Sequence, residues 1–531
     1  MVRSTGLGVL AWLALTGLLA GLQQASPFDL VIVNGRIADG TGAPLRAASI
    51  GVRDGRIAAI GPAADGPARA RFDAAGLVVA PGFIDVHTHA DDVAEQPHAD
   101  NFVRMGVTTI VAGNCGSSAL DVAAALERIR FTAVSVNFAT LIGHNTVRAA
   151  VMGRAERDAT IGDLNDMKEL VFRGMADGAV GFSTGLQYVP GVYARSSEII
   201  ELARVAANEG GLYATHMRNE GTALEEALAE AIRVATLLHM PLEISHLKVD
   251  SPRRWGASSA ALDLIAEARR KGLAIQADQY AYTAGSSSLS IRFPAWALEG
   301  GSDAVRARLD DPAQWERVKT EMRSMLAERG FNDLAWATVA TYRADPSLNG
   351  LDMAEVARRL IGRDTADAQL EAARTLMRGG GASMVYHFMR EDDVERIMQD
   401  PFVSVASDAG VITFGSGSPH PRGYGNNARV LGTYVRDRGV LTLEDAIRRM
   451  TSLPARHFGF EDRGEIRVGA AADLVVFDAD RVRDAATYDR PHAYAEGFAL
   501  VAVNGVVVVR NGEHTGATPG SVLRRSRSAQ R

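Results

Sequence analysis

The chain has 531 residues, 47% of them hydrophobic and 23% charged, with a formal net charge of -6 and a pI near 6.1. This excludes a largely disordered chain and leaves room for a large barrel plus a satellite domain. There is no basic footprint for nucleic acid, so a small-molecule ligand is the better expectation.

Residues 1–26 begin Met-Val-Arg, continue through the apolar run Leu7 to Leu22, and end Gln-Gln-Ala-Ser26. This order of basic start, apolar core and small-residue exit predicts a secretory signal peptide and a periplasmic or secreted protein, with no stable membrane insertion after its removal. An uncleaved anchor is the alternative reading, although the run is short for a span. Residues 27–80 are strand-rich, with Asn34-Gly35 and Asp54-Gly55 as expected tight turns. The same texture returns over 465–516, in Asp473-Leu-Val-Val-Phe-Asp478 and Val501-Ala-Val-Asn-Gly-Val-Val-Val-Val-Arg510. The two ends are expected to build one small β-sandwich. The basic tail, 517–531, reads as a disordered, solvated end.

Between these ends, over 81–464, apolar strand-sized runs alternate with amphipathic helical stretches. That alternation predicts a TIM-type (β/α)8 barrel of α/β class, with a doubly wound open sheet as the alternative. Residues 291–381 break the rhythm with a charged, helical patch, read as an inserted lid.

Several strand ends carry metal-capable residues, and catalytic groups in such barrels sit at the C-terminal ends of the strands. His87 and His89 close the first run, in Gly82-Phe-Ile-Asp-Val-His-Thr-His89. Residues i and i+2 of an extended chain share a face, so the two imidazoles can converge on one ion. Cys115 follows the second run, His216 and His246 end later ones, and Asp408 ends the last. Cys115 is the single cysteine, which rules out an intramolecular disulfide and suits a metal-bound thiolate.

These motifs, together with Gly113-Asn-Cys-Gly116, Gly143-His-Asn-Thr-Val-Arg148, Gly181-Phe-Ser-Thr-Gly-Leu186, Thr215-His-Met-Arg-Asn-Glu220, Ile244-Ser-His-Leu-Lys248, Ser407-Asp408 and His420-Pro-Arg422, resemble the N-acyl-D-amino-acid deacylase (D-aminoacylase) branch of the amidohydrolase superfamily. The resemblance runs from about residue 28 to about 516. It implies a zinc-dependent hydrolase that releases a carboxylate and a free D-amino acid from an N-acyl-D-amino acid. It implies a tightly held Zn2+ on Cys115, His216 and His246, and a weaker second divalent site on His87, His89 and Asp408. Many superfamily relatives bridge two metals with a carboxylated lysine on the fourth strand, but Ala179-Val-Gly-Phe-Ser-Thr184 has none, which counts against hydantoinase-type and dihydroorotase-type readings.

Asp408 is expected to shuttle the proton from water to the leaving amine. Arg422 suits the substrate's free carboxylate, Lys248 the carboxylate or the developing oxyanion, and Tyr188, Tyr280 and Tyr282 the pocket walls. Two other functions fit the same residues: a cyclic amidase or dipeptidase, and a non-catalytic metal-binding barrel. The D preference rests on the resemblance alone.

Overall fold

A computed structural model describes residues 27–524; the expected signal peptide and the end of the basic tail lie outside them. Eight parallel barrel strands occur in chain order at Phe83–Asp85, Val107–Ala112, Asn137–Thr140 continued by Ile142–Gly143, Gly181–Gly185, Leu212–His216, Leu242–Ile244, Ile275–Gln279 and Val403–Val405. Each pairs in parallel with its neighbour in sequence, and the third is interrupted at Leu141, its two pieces serving the second and fourth strands. The ring closes between the last and first strands: Thr88 bridges Ala409 in parallel, and the Asp408 N–H donates to the His87 carbonyl at 2.9 Å. Closure therefore falls at the two segments that carry His87, His89 and Asp408.

The barrel strands read as nearly continuous apolar runs because both faces are buried. Ile84, Val111, Leu141, Leu212, Ala214 and Ala406 form the inner cluster, closed from below by Phe458 and Phe460. Their neighbours Phe83, Ile110, Tyr213, Leu242, Ile244, Ile275, Ala277, Val403 and Val405 pack outward with the helices. The period of two therefore turns His216 inward, two residues beyond Ala214 on the same strand. The outer helices follow the other period: Ser196–Asn208 buries Ile199, Leu202, Ala203 and Ala206. Ile161–Asp177 starts in a reciprocal capping box between Thr160 and Asp163, a cap contributing about 1 kcal/mol. Its Gly174 lets the helix lie close to the third strand, since a Cβ there would meet Ile142 at 2.9 Å.

Both chain ends build one β unit, in which nine strands form a continuous hydrogen-bonded sheet. The halves meet where Val78–Pro81 pairs antiparallel with Leu474–Phe477. Period-two alternation sends Val79, Leu474, Val476, Leu500 and Ala502 into the unit's own core and Val78, Ala80, Val475, Phe477 and Val501 against the barrel. Asp54-Gly55 is a hairpin turn as expected, with φ of 51° and 72°. Asn34-Gly35 is not: Phe28–Ile37 is one strand, and the left-handed Asn34 marks a register shift within it.

The insertion is larger and less helical than expected. Ala284–Ser288, Ala337–Thr341 and Ser383–His387 form an antiparallel three-stranded sheet, and a separate core from Leu289 to Phe388 gathers Trp315, Met322, Val339 and Tyr386. Its first strand, Ala-Gly-Ser-Ser-Ser, carries little β signal of its own. The tail also departs from expectation. As far as Arg524 it is docked, with the Gly520 and Leu523 N–H groups donating to Val134 and Phe138 carbonyls, both at 2.7 Å. Among the described residues no helix is long and apolar enough to cross a membrane.

Candidate active site

The residues singled out at the strand ends converge on one point. The Sγ of Cys115 lies 3.3 Å from His87 Nε2, 3.5 Å from His246 Nε2 and 3.9 Å from His216 Nδ1, and those last two nitrogens are 2.9 Å apart. Beside them Asp408 Oδ1 is 3.1 Å from His89 Nε2 and 3.6 Å from His87 Nε2. Cys115, His246 and Asp408 all sit in the left-handed region, with φ of 52°, 37° and 51°. Such conformations cost on the order of 1 kcal/mol or more for residues with a Cβ and persist where the surroundings impose them. Here they turn each chain sharply at its strand end, so that the side chain faces the barrel axis.

Carboxylates behind the cluster set the imidazoles. Asp278, at the end of the seventh strand, accepts from the His246 backbone N–H at 2.8 Å and faces His87 Nδ1 at 3.2 Å. Glu220 Oε1 lies 2.9 Å from His246 Nδ1 and 2.7 Å from Lys248 Nζ. Lys248 Nζ also lies 2.7 Å from His246 Nδ1, so Glu220 and Lys248 together fix this edge of the ring and leave Nε2 facing Cys115 and His216. Asp85 accepts from the N–H groups of His87 at 3.2 Å and Ser407 at 3.1 Å, which ties the first strand to the last.

The charges are complementary. Burial raises the Cys115 thiol, but the charges of His87 and His246 overcome it and hold it well below the ordinary thiol range. Burial opposes charge on His89, yet Asp408 and Cys115 lift it to about 10. Asp408 is raised by burial and more than offset by Arg422 and His246, so it is anionic. Anions and protonated imidazoles thus balance one another in a space where one divalent ion could replace the protons.

A narrow cavity above the cluster is lined by Tyr188, Lys248, Tyr280, Arg292 and Asp408. Tyr188 Oη lies 3.3 Å from His216 Nδ1. Tyr280 Oη is buried with no hydrogen-bond partner among the described residues. Tyr282 does not face this space: its hydroxyl donates to Asp484 at 3.2 Å and its ring lies against Arg429. The chain has left the strand at Gln279, so an i, i+2 spacing no longer means a shared face. Arg422 also has an employment that its loop context did not suggest. Its Nη1 is 2.9 Å from Asp408 Oδ2, its Nη2 donates to the Asp408 carbonyl, and Tyr280 lies against it. His144 is structural, buried against Glu198 at 2.8 Å.

Sequence reasoning missed Asp85, Glu220, Asp278 and Arg292 as site residues. The first three stand in motifs or strand runs already recognised: Asp85 and Asp278 are acidic residues within apolar strand runs, whereas Glu220 stands in the polar stretch Arg218-Asn-Glu220 and is set apart only by its burial. Arg292 belongs to the insertion and carries no local signal.

Residues 71–509 match the sequence pattern of the amidohydrolase family. The chain is 37% identical over 95% of its length to the D-aminoacylase of Alcaligenes xylosoxydans xylosoxydans, covering 99% of that protein. It is 38% identical over 94% of its length to the N-acyl-D-glutamate deacylase of the same organism, covering 97% of it. Among solved structures, the N-acyl-D-glutamate deacylase of Bordetella bronchiseptica, complexed with zinc and a phosphonate mimic of the tetrahedral intermediate, superposes with a TM-score of 0.80 at 37% identity, over 94% of this chain and all of that one.

Proposed function

The chain belongs to the amidohydrolase family, within its N-acyl-D-amino-acid deacylase branch, and on that premise we propose that it hydrolyses the amide bond of N-acyl-D-amino acids with zinc as cofactor. The observation that carries the reading is the donor set. One thiolate, four imidazoles and a carboxylate gathered in one cluster suit zinc better than a hard, oxygen-seeking cation. Cys115, His216 and His246 would hold the tight ion, and His87, His89 and Asp408 a weaker one. When bound, zinc supplies Lewis acidity that makes a water nucleophilic near neutral pH and polarises the scissile carbonyl.

The chain's own residues supply the rest. Asp408, anionic and turned inward, takes the proton from the attacking water and returns it to the leaving amine. Tyr188 and Lys248, at the cavity wall, are placed to donate to the oxygen that gains charge. The apolar opening segment supports an exported enzyme.

Arg292 supports a finer reading of the substrate. Five arginines are buried among the described residues. Arg148, Arg422, Arg449 and Arg463 each pair with a carboxylate. Arg292 has no such pair: it lies among Tyr386, Trp336 and Phe388, 4.4, 5.0 and 5.9 Å from their ring centres, with Nε unpartnered. Tyr386 and the charge of Asp250, itself paired with Arg329, reach it, but a buried guanidinium without a carboxylate of its own is costly, and its site favours an incoming anion. With Arg422 taking the α-carboxylate, Arg292 is placed for a second one, on an acidic side chain such as that of D-glutamate or D-aspartate.

The test is release of free amine by the zinc-loaded protein from paired D and L N-acyl amino acids with acidic and aliphatic side chains. Turnover of the D members carries the proposal. Ring opening that needs no free carboxylate would favour the cyclic amidase, and no turnover at all the non-catalytic barrel. Arg292→Met is expected to lower kcat/KM on acidic substrates by on the order of 100-fold and to spare aliphatic ones; a loss on both would assign Arg292 to the α-carboxylate.

Arg422→Ala is expected to cost about 2 to 5 kcal/mol in kcat/KM on the acid. Because Arg422 also holds Asp408, part of that loss should persist on the substrate's amide. The excess on the acid measures carboxylate reading, and no excess would remove Arg422 from substrate binding.

A further inference from the structure

Below the cluster the barrel interior is not uniformly apolar. Leu242 and Ile244 turn outward to the helices, so Glu243 between them projects into the barrel, 2% exposed, where branched apolar side chains are usual. Neither of its carboxyl oxygens receives a hydrogen bond among the described residues. His457, from the helix that closes the barrel floor, places Nε2 3.2 Å from Oε2, and that nitrogen also lies 3.1 Å from the Leu242 carbonyl, its hydrogen-bond partner.

The other neighbour of Glu243 is a second carboxyl group: Glu243 stands opposite Gln276 in the parallel register, so Asp278, two residues further along the adjacent strand, shares its inward face. Both oxygens of Asp278 are already occupied, by the His246 N–H and by His87 Nδ1. Two facing buried carboxylates, one of them reached only by an imidazole nitrogen that the Leu242 carbonyl shares, would be strongly unfavourable. A single proton on Glu243 removes the conflict and gives Asp278 a third hydrogen bond. Burial and the charge of Asp278 both act in that direction, raising Glu243 well above the ordinary carboxylate range.

We propose that Glu243 is a positioning residue: as a neutral carboxylic acid it donates its O–H to Asp278 and fixes the orientation in which Asp278 holds both His87 and His246. From behind the cluster Asp278 contacts a histidine of each ligand set, so this acid, one layer further from the reaction, links them. The inference rests on the metal reading of the cluster, but its readouts are independent of substrate.

Three measurements test it. Glu243→Gln keeps the size and an N–H donor, and is expected to retain zinc as the wild-type protein does under dialysis against a chelator. Glu243→Leu keeps the size without the donor, and is expected to hold zinc about 10- to 100-fold more weakly, the range for losing a partner behind a ligand, while its melting temperature stays close to that of the wild type. The infrared spectrum of the wild-type protein is expected to show the C=O stretch of a neutral carboxylic acid that the Gln variant lacks.

Zinc loss in the Gln variant, or zinc retention in a folded Leu variant, would overturn the proposal. So would the absence of the infrared band, which decides the matter if the Leu variant does not fold. Since none of these uses an N-acyl amino acid, failure of the deacylase reading would leave them unchanged.

Discussion

Asp408→Asn is expected to keep the fold and the zinc held by Cys115, His216 and His246, and to lower kcat at least about 100-fold, the lower range for loss of a general acid–base group. The carboxylate lies within 3.6 Å of both His87 and His89, and Arg422 keeps it anionic against its burial. An amide is nearly the same size but cannot accept the proton of water. It also leaves Arg422 without an anionic partner, so some loss of stability should accompany the loss of turnover. The decisive measurement pairs kcat with zinc content on the same sample. A variant with full zinc and near wild-type kcat would remove Asp408 from the proton path, and one that loses its zinc would make Asp408 chiefly a ligand.

Cys115→Ser is expected to lower bound zinc and activity together. Loss of a hydrogen-bond partner behind a ligand weakens metal binding about 10- to 100-fold, and removal of a ligand atom should exceed that. The thiolate is held by the charges of His87 and His246, whereas a serine hydroxyl in the same place stays neutral and binds zinc poorly. The buried environment changes little, so the fold should survive. Metal analysis after dialysis, with turnover on the same sample, checks the expectation. Full zinc retention with normal turnover would make Cys115 an ordinary buried thiol.

The sequence by itself determined the features that depend on near neighbours along the chain. Period-two strands alternating with period-3.6 helices predict the barrel, because burial on a pleated strand or a helical face is decided within a few residues. The same locality places His87, His89, Cys115, His216, His246 and Asp408 at strand ends, and so on one rim. What those residues meet was beyond it. The hold of Asp278 on two histidines, the pairing of Arg422 with Asp408 and the departure of Tyr282 from the cavity depend on register between strands and on where each chain leaves its strand. The inserted sheet begins in a serine-rich segment with little preference of its own and forms because Ser383–His387, about a hundred residues later, pairs with it. Arg292 reaches the cavity only through that insertion. Only the tertiary structure decided these contacts, because they join segments far apart in sequence, and a strand's own pattern of polar and apolar residues does not specify which partner its inward face will meet.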